Sequence, residues 1–429
     1  MNINAQLTLP CGAIIKNRLA KAAMTEGIAD AANRATARHQ TLYERWAKGG
    51  TGLLITGNIM VDRRYLERPG NVAIDGPQTS EQISALAAWA GLAKAHDTHI
   101  WPQLSHAGRQ SPKSVAIEPA GPSSVEVELP GGQFGKPRAL TAEEIEDVIT
   151  RFSDASAIVK EAGFTGVQIH GAHGYLISEF LNPRVNLRTD DWGGSLENRA
   201  RLLLTIVKEV RTRVGADFPV SVKLNSSDFQ KGGFDFSDCL QVVQWLEALG
   251  IDLLEISGGS YEQPKMMGLE GMEPVFEEGI GASTKKREAY FLAYAEKIAA
   301  SVKTPLMVSG GFRSVDAMNE ALENGAADMI GIARPLCVDP DMSHQLLRGA
   351  VQVAPSWEKE LALGPGIFGA SSSIDFLKML NGFGTMAFFY KNLFRLADGL
   401  EAKRKMFLLP AFISHQMHEA RAAKSLLDR

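Results

Sequence analysis

The chain has 429 residues, of which 45% are hydrophobic and 22% charged, and its formal net charge is -4. That composition provides for a large buried core and excludes, as a global property, the basic surface of a nucleic-acid or anionic-membrane binder. Cys11, Cys239 and Cys337 lie too far apart in sequence for zinc or iron–sulfur ligand spacing or for a dense disulfide framework.

In the N-terminal stretch MNINAQLTLPCGAIIKNRLA, Lys16 and Arg18 follow the short apolar run instead of preceding it, which is not a signal-peptide layout. No apolar run is long enough to span a bilayer. A cytoplasmic protein without an integral membrane segment is the expectation.

Strands are predicted at 18–24 and 52–56, then a helix over 80–96 and a third strand at 99–104. A helix opens at Thr141, where Thr141 and Glu144 have capping-box spacing; Ile145, Val148, Ile149, Phe152 and Val159 share one face, and Gly163 is its stop. The fourth strand is expected at 166–170. A helix from Ser195 carries the stripe Leu202, Leu203, Ile206, Val207 and Val210. Strands at 219–224, 251–256, 305–309 and 328–332 alternate with helices over 237–249, 286–302 and 315–323. Several strands are apolar on both faces, as in a buried parallel sheet, and the alternation of strand and helix predicts an α/β fold closed as a (β/α)8 TIM barrel. The pattern ends near Gly349. This divides the chain into a barrel, 1–349, and a C-terminal helical extension, 350–429, with Phe388, Phe389, Leu393 and Leu396 as its apolar stripe and Lys403, Arg404 and Lys405 as a small basic cluster. The extension is expected to pack on the barrel or on a second subunit.

The seventh strand ends in Ser309-Gly310-Gly311 and the eighth in Gly331-Ile332-Ala333-Arg334-Pro335. Barrel loops at these two positions often bind phosphate, because glycines admit close approach to backbone N–H groups and an arginine adds a bidentate charge. The fourth strand ends in GVQIHGAHGYLISEFLNP. His170, His173 and Tyr175 admit three readings. The histidines can be satisfied structural residues, or metal ligands with Glu179 as the third. Alternatively, two imidazole N–H groups can converge on one carbonyl oxygen while Tyr175, a phenol with an ordinary pKa of about 10, protonates the neighbouring carbon. A charged Lys223 inside the apolar strand SVKLN points to a function, since an unpaired buried charge is costly.

HGAHGYLISEFLNPRVNLRTDDWGGSLENRARLLLTIVKEVR, taken with KNRLAKAAMT, GLLITGNIMVD, PQLSHAGRQ, SVKLNSSDF, SGGF and GIARPL in that order, resembles the Old Yellow Enzyme (NADH:flavin oxidoreductase, ene-reductase) family over roughly residues 5–345. The resemblance implies a barrel with flavin mononucleotide (FMN) at the carboxyl ends of its strands. It places Ala23, Met24 and Thr25 along the flavin, Asn58 where the second strand meets the ring, Gln103 at the pyrimidine edge, Lys223 beside it, and Gly310, Gly311, Ala333 and Arg334 at the phosphate. His170 and His173 are implied to hold the substrate carbonyl and Tyr175 to donate the proton.

The chain departs from the family pattern at Ala23, where many members have Pro, and at Lys223, where many have Arg. The iron–sulfur motif of the larger relatives is missing, with no cysteine after Cys337. The implied activity is reduction of the activated C=C bond of small α,β-unsaturated carbonyl compounds by NADH or NADPH, in a homodimer or larger assembly. The alternative is flavin-mediated NAD(P)H oxidation by oxygen or a quinone, without ene-reduction as the physiological role.

Overall fold

The computed structural model describes residues 1–129, 132–259, 262 and 291–427. Eight parallel strands form a closed ring: β1 (Leu19–Lys21), β2 (Leu53–Met60), β3 (His99–Ser105), β4 (Val167–Gly171), β5 (Val220–Asn225), β6 (Leu253–Ser257), β7 (Leu306–Ser309) and β8 (Met329–Ile332). Each pairs with the next, and β8 closes on β1 through Ile330 beside Leu19 and Ile332 beside Lys21. The expected (β/α)8 barrel is what the chain forms.

The helices between the strands are α1 (Ala37–Lys48), α2 (Ser80–Lys94), α3 (Ala142–Glu161), α4 (Leu196–Val214), α5 (Phe236–Ala248), α6 (Leu292–Ala299), α7 (Val315–Glu323) and α8 (Met342–Leu347). The Thr141 hydroxyl accepts from the Glu144 N–H at 3.2 Å and the Glu144 carboxylate accepts from the Thr141 N–H at 2.9 Å. Gly163, at φ +87°, takes the left-handed conformation that ends α3. Of the helix predicted over 286–302, the part before 291 lies outside the described residues, and the rest is shorter, at Leu292–Ala299. The reading of the sequence gave no helix at α1, although Thr36 caps it and Leu42, Tyr43 and Trp46 are its buried face.

Alternation along each strand decides what lies inside the barrel. Val220, Val222 and Leu224 of β5 face the helices, whereas Ser221, Lys223 and Asn225 face inward; the same parity puts Gln168 and His170 of β4 and Glu255 and Ser257 of β6 inside. At the amino end the interior is apolar. Leu7, Leu9 and Ile15, around a hairpin of Leu7–Thr8 with Ile14–Ile15, plug it against Leu53, Ile55, Trp101, Leu253, Met307 and Met329. Polar side chains are therefore concentrated toward the carboxyl end.

β1 is shorter than predicted: the Ala22 N–H still donates to the Ile332 carbonyl and Ala23 to Thr25 then leave the ladder, while β2 is longer. β2 also carries a register irregularity between Ile55 and Asn58. A side chain at Gly57 would put its Cβ 2.5 Å from both the Met24 carbonyl oxygen and Thr25 Cα, so glycine there lets the exit of β1 cross β2 closely.

Beyond the barrel come α9 (Asp375–Ala397) and α10 (Leu408–Leu427). Phe388, Phe389, Leu393 and Leu396 are buried as expected of a stripe, and α9 lies against α1 and the short helix Arg334–Val338. The connection doubles back. The Leu400 N–H donates to the Arg395 carbonyl, the Lys403 N–H donates to Asn392 Oδ1, and Leu408 returns beside Gly384. Tyr390 then stacks on His415 at 4.7 Å and Phe394 meets His418 at 4.5 Å, so α10 runs parallel to α9 and back toward the barrel. No helix among the described residues is long and apolar enough to cross a membrane.

Candidate active site

His170 ends β4, and the loop after it is set by backbone conformation. His173 and Gly174 both have positive φ, +65° and +75°. A histidine tolerates the left-handed region better than branched residues but still at a cost, so its surroundings must hold it there. The His173 N–H donates to Asn225 Oδ1 at 3.2 Å and its carbonyl accepts from Gln110 Nε2 at 3.0 Å; the Gly174 N–H donates to Ser178 Oγ at 3.2 Å. The two reversed residues bring three rings together. The centroids of His170 and His173 are 5.0 Å apart at 82°, and those of His170 and Tyr175 are 4.9 Å apart at 74°.

Both imidazoles are buried. Burial first, and then the positive charge of Lys223, holds each well below the ordinary histidine pKa, so both are neutral near pH 7. His170 Nδ1 accepts from the Ala172 N–H at 3.3 Å, which leaves the ring hydrogen on Nε2. His173 Nε2 shares a hydrogen with Ser257 Oγ at 2.7 Å.

Lys223 is less bare than its sequence context suggests. It pairs with Glu255, its register neighbour on β6, at 3.0 Å, and Glu255 is fully buried. Gln168 Nε2 donates to the other Glu255 oxygen at 2.9 Å, and Gln168 Oε1 accepts from Gln103 Nε2 at 2.7 Å. One hydrogen-bonded row thus crosses the interior from β3 to β5. One N–H of the Gln103 amide is used inside it, so Gln103 can still offer a ligand its carbonyl oxygen and its second N–H.

On the other side of the ring, Gly310 (φ +106°) and Gly311 (φ +91°) follow β7, and Ala333 and Arg334 follow β8, next to the half-buried Ala23, Met24 and Thr25 after β1. Arg334 is not simply open to a ligand. Its Nη1 lies 3.3 Å from Glu358 of the extension, which also pairs with Arg313 at 2.6 Å. The buried Asn58 Oδ1 and Ser309 Oγ have no hydrogen-bond partner among the described residues. Going round from β7 through β8, β1, β2 and β3 to β5, the mouth presents the Ser309 hydroxyl with a glycine-rich loop, an arginine, a half-buried shelf, the Asn58 carbonyl oxygen, the Gln103 amide and the Lys223 ammonium. A phosphate-tailed heteroaromatic ring such as FMN fits that order of donors and acceptors.

Among the described residues no group of His, Cys, Asp and Glu is arranged to hold a metal ion, and Glu179 Oε1 accepts from the Arg109 N–H at 2.8 Å. The sequence reading passed over Glu255, Gln168, Asn225, Ser257 and Glu358. Glu255 had a signal: it is the charged residue of LLEIS, as Lys223 is of SVKLN.

Residues 11–351 match the model of the "NADH:flavin oxidoreductase / NADH oxidase family". The NADH-dependent flavin oxidoreductase iliE of Hypocrea jecorina is 37% identical over 356 residues, 79% of this chain and 87% of that protein. A 2-naphthoyl-CoA reductase structure superposes with a TM-score of 0.73 at 26% identity, over 82% of this chain and 53% of the other. An Old Yellow Enzyme homologue from Zymomonas mobilis, 24% identical, shares the fold with a TM-score of 0.67 over 82% of this chain and 94% of its own. The chain belongs to the NADH:flavin oxidoreductase / NADH oxidase family, that of the Old Yellow Enzyme, and is an NAD(P)H-dependent flavin oxidoreductase that takes FMN.

Proposed function

We propose that the enzyme reduces the activated C=C bond of small α,β-unsaturated carbonyl compounds. The observation that carries this reading is the convergence of two neutral imidazoles and a phenol at the barrel mouth, with the His173 and Tyr175 rings each about 5 Å from that of His170. When bound, FMN supplies the hydride, taken from NADH or NADPH and given to the β-carbon of the alkene.

The protein's share is orientation and charge. His170 and His173 donate hydrogen bonds to the carbonyl oxygen, where negative charge grows as the β-carbon is reduced. Neutral rings suit this role, because they donate without needing to be protonated first. Tyr175 gives its hydroxyl proton to the α-carbon and recovers one from solvent, so the alkene gains a hydride and a proton while the nicotinamide is oxidised. Asn58, Gln103 and Lys223 hold the ring's polar edge, Ala23, Met24 and Thr25 line it, and Gly310, Gly311, Ala333 and Arg334 hold the phosphate. Residues 1–349 carry this chemistry, and 350–429 serve it as an appended helical unit.

Tyr175→Phe tests the proton donor. Anaerobic reoxidation of the reduced protein by an enone should slow by about 10²–10⁴, while reduction by NADH or NADPH continues. Reoxidation by the enone at the wild-type rate in the variant would remove Tyr175 from the role. Oxygen and a quinone, run beside the enone, separate ene-reduction from simple electron transfer.

A further inference from the structure

The part of the chain with least to say in sequence, α10, returns to the barrel mouth and is tied there at three loops. His418 Nε2 lies 3.2 Å from the Gly27 carbonyl oxygen, just past the β1 shelf. Glu419 faces Arg68, after β2, at 4.0 Å, and the Arg68 guanidinium sits 4.4 Å over the Tyr390 ring of α9. Two turns further on, Leu426 packs against a small apolar cluster made of Met60, Leu66, Ala73, Ala107 and Tyr175. This cluster is separate from the main core and lies at and beyond the carboxyl ends of β2, β3 and β4. Its members include the residue assigned the proton transfer, so an apolar side chain from the extension joins the cluster that holds Tyr175.

We propose that the last turn of α10 forms one wall of the alkene site and that Leu426 sets the size of the α-substituent the site admits. The proposal rests on the ene-reduction reading for its substrate class and on the packing of α10 for its geometry. A leucine offers no hydrogen bond, so its influence is steric and apolar. One methylene more or less in an apolar pocket shifts discrimination by about 10–200-fold.

The test uses full-length holoenzyme, with cyclohexenone and its α-phenyl analogue as the pair. The ratio of kcat/KM for the α-phenyl compound to that for cyclohexenone should rise on the order of 10-fold in Leu426→Ala and fall by a similar factor in Leu426→Trp. Met417→Ala, at an exposed position of the same helix, should leave the ratio as it is. Binding of both compounds to the oxidised protein, read from the visible flavin band, gives the same ratio without turnover and also reports that flavin is in place. Ratios that do not move in either Leu426 variant, with flavin bound, overturn the wall. Ratios that move in binding while no alkene is reduced keep the wall and discard the ene-reduction. A wild type that binds neither compound discards both.

Discussion

The paired imidazoles give the sharpest prediction. His170→Leu keeps apolar bulk and removes one donor. His170 is 3% exposed and its Nδ1 is occupied by the Ala172 N–H, so Nε2–H is its single remaining donor and the loss is complete. A donor aimed at a developing oxyanion is worth about 10²–10³ in rate. The orphaned Ala172 N–H costs a further 1 kcal/mol or so of stability, too little to unfold the protein. His173 is different, because it stands at φ +65°. Leucine there loses the donor and also strains the loop, whereas His173→Asn keeps an N–H donor in a residue that accepts the left-handed region. The expected order of enone reduction is wild type, then His173→Asn within about tenfold, then His173→Leu and His170→Leu lower by about 10²–10³. Because the rings are 5.0 Å apart and share one acceptor, the double leucine variant should lose less than the product of the two single losses. The assay is anaerobic stopped flow, mixing reduced protein with cyclohexenone and following the return of oxidised flavin absorbance, with flavin content measured for each variant. His170→Leu reoxidised at the wild-type rate with its flavin bound would refute the role given to the imidazoles.

Three further outcomes follow from the same geometry. Lys223→Met should destabilise the protein by about 3–5 kcal/mol in urea unfolding, because it leaves Glu255 buried without its partner at 3.0 Å. A loss under about 1 kcal/mol would mean that the pair is solvated. Arg334→Ala should weaken FMN binding to the apoprotein by about 10–100-fold and leave riboflavin, which lacks the phosphate, unaffected in fluorescence titration. Equal weakening of both would take Arg334 away from the phosphate. The ring protons of His170 and His173 should show no titration by NMR between pH 7.5 and 5.5. Burial depresses both groups, so the folded protein keeps them neutral as pH falls through the ordinary histidine value. A midpoint near 6.5 for either would contradict that environment.

Sequence alone determined the barrel and the cast of its mouth. Strand and helix announce themselves by local period, and HGAHGY, SGG and IARP sit at strand ends whatever the packing, so His170, Tyr175, Gly310 and Arg334 could be named without coordinates. Tertiary structure decided who answers whom. Lys223 and Glu255 stand 32 positions apart and meet only because β5 and β6 are in register; Gln103 and Gln168 meet only because β3 pairs with β4. Glu358 reaches Arg334 only because the stretch before α9 pairs back onto the loop after β7, Val353 beside Ser314, and Leu426 reaches the cluster around Tyr175 only because the segment between α9 and α10 folds back so that α10 runs parallel to α9 and returns to the barrel. Local period carries no information about such returns. They are settled by which apolar faces can be buried together, and that is a property of the whole chain.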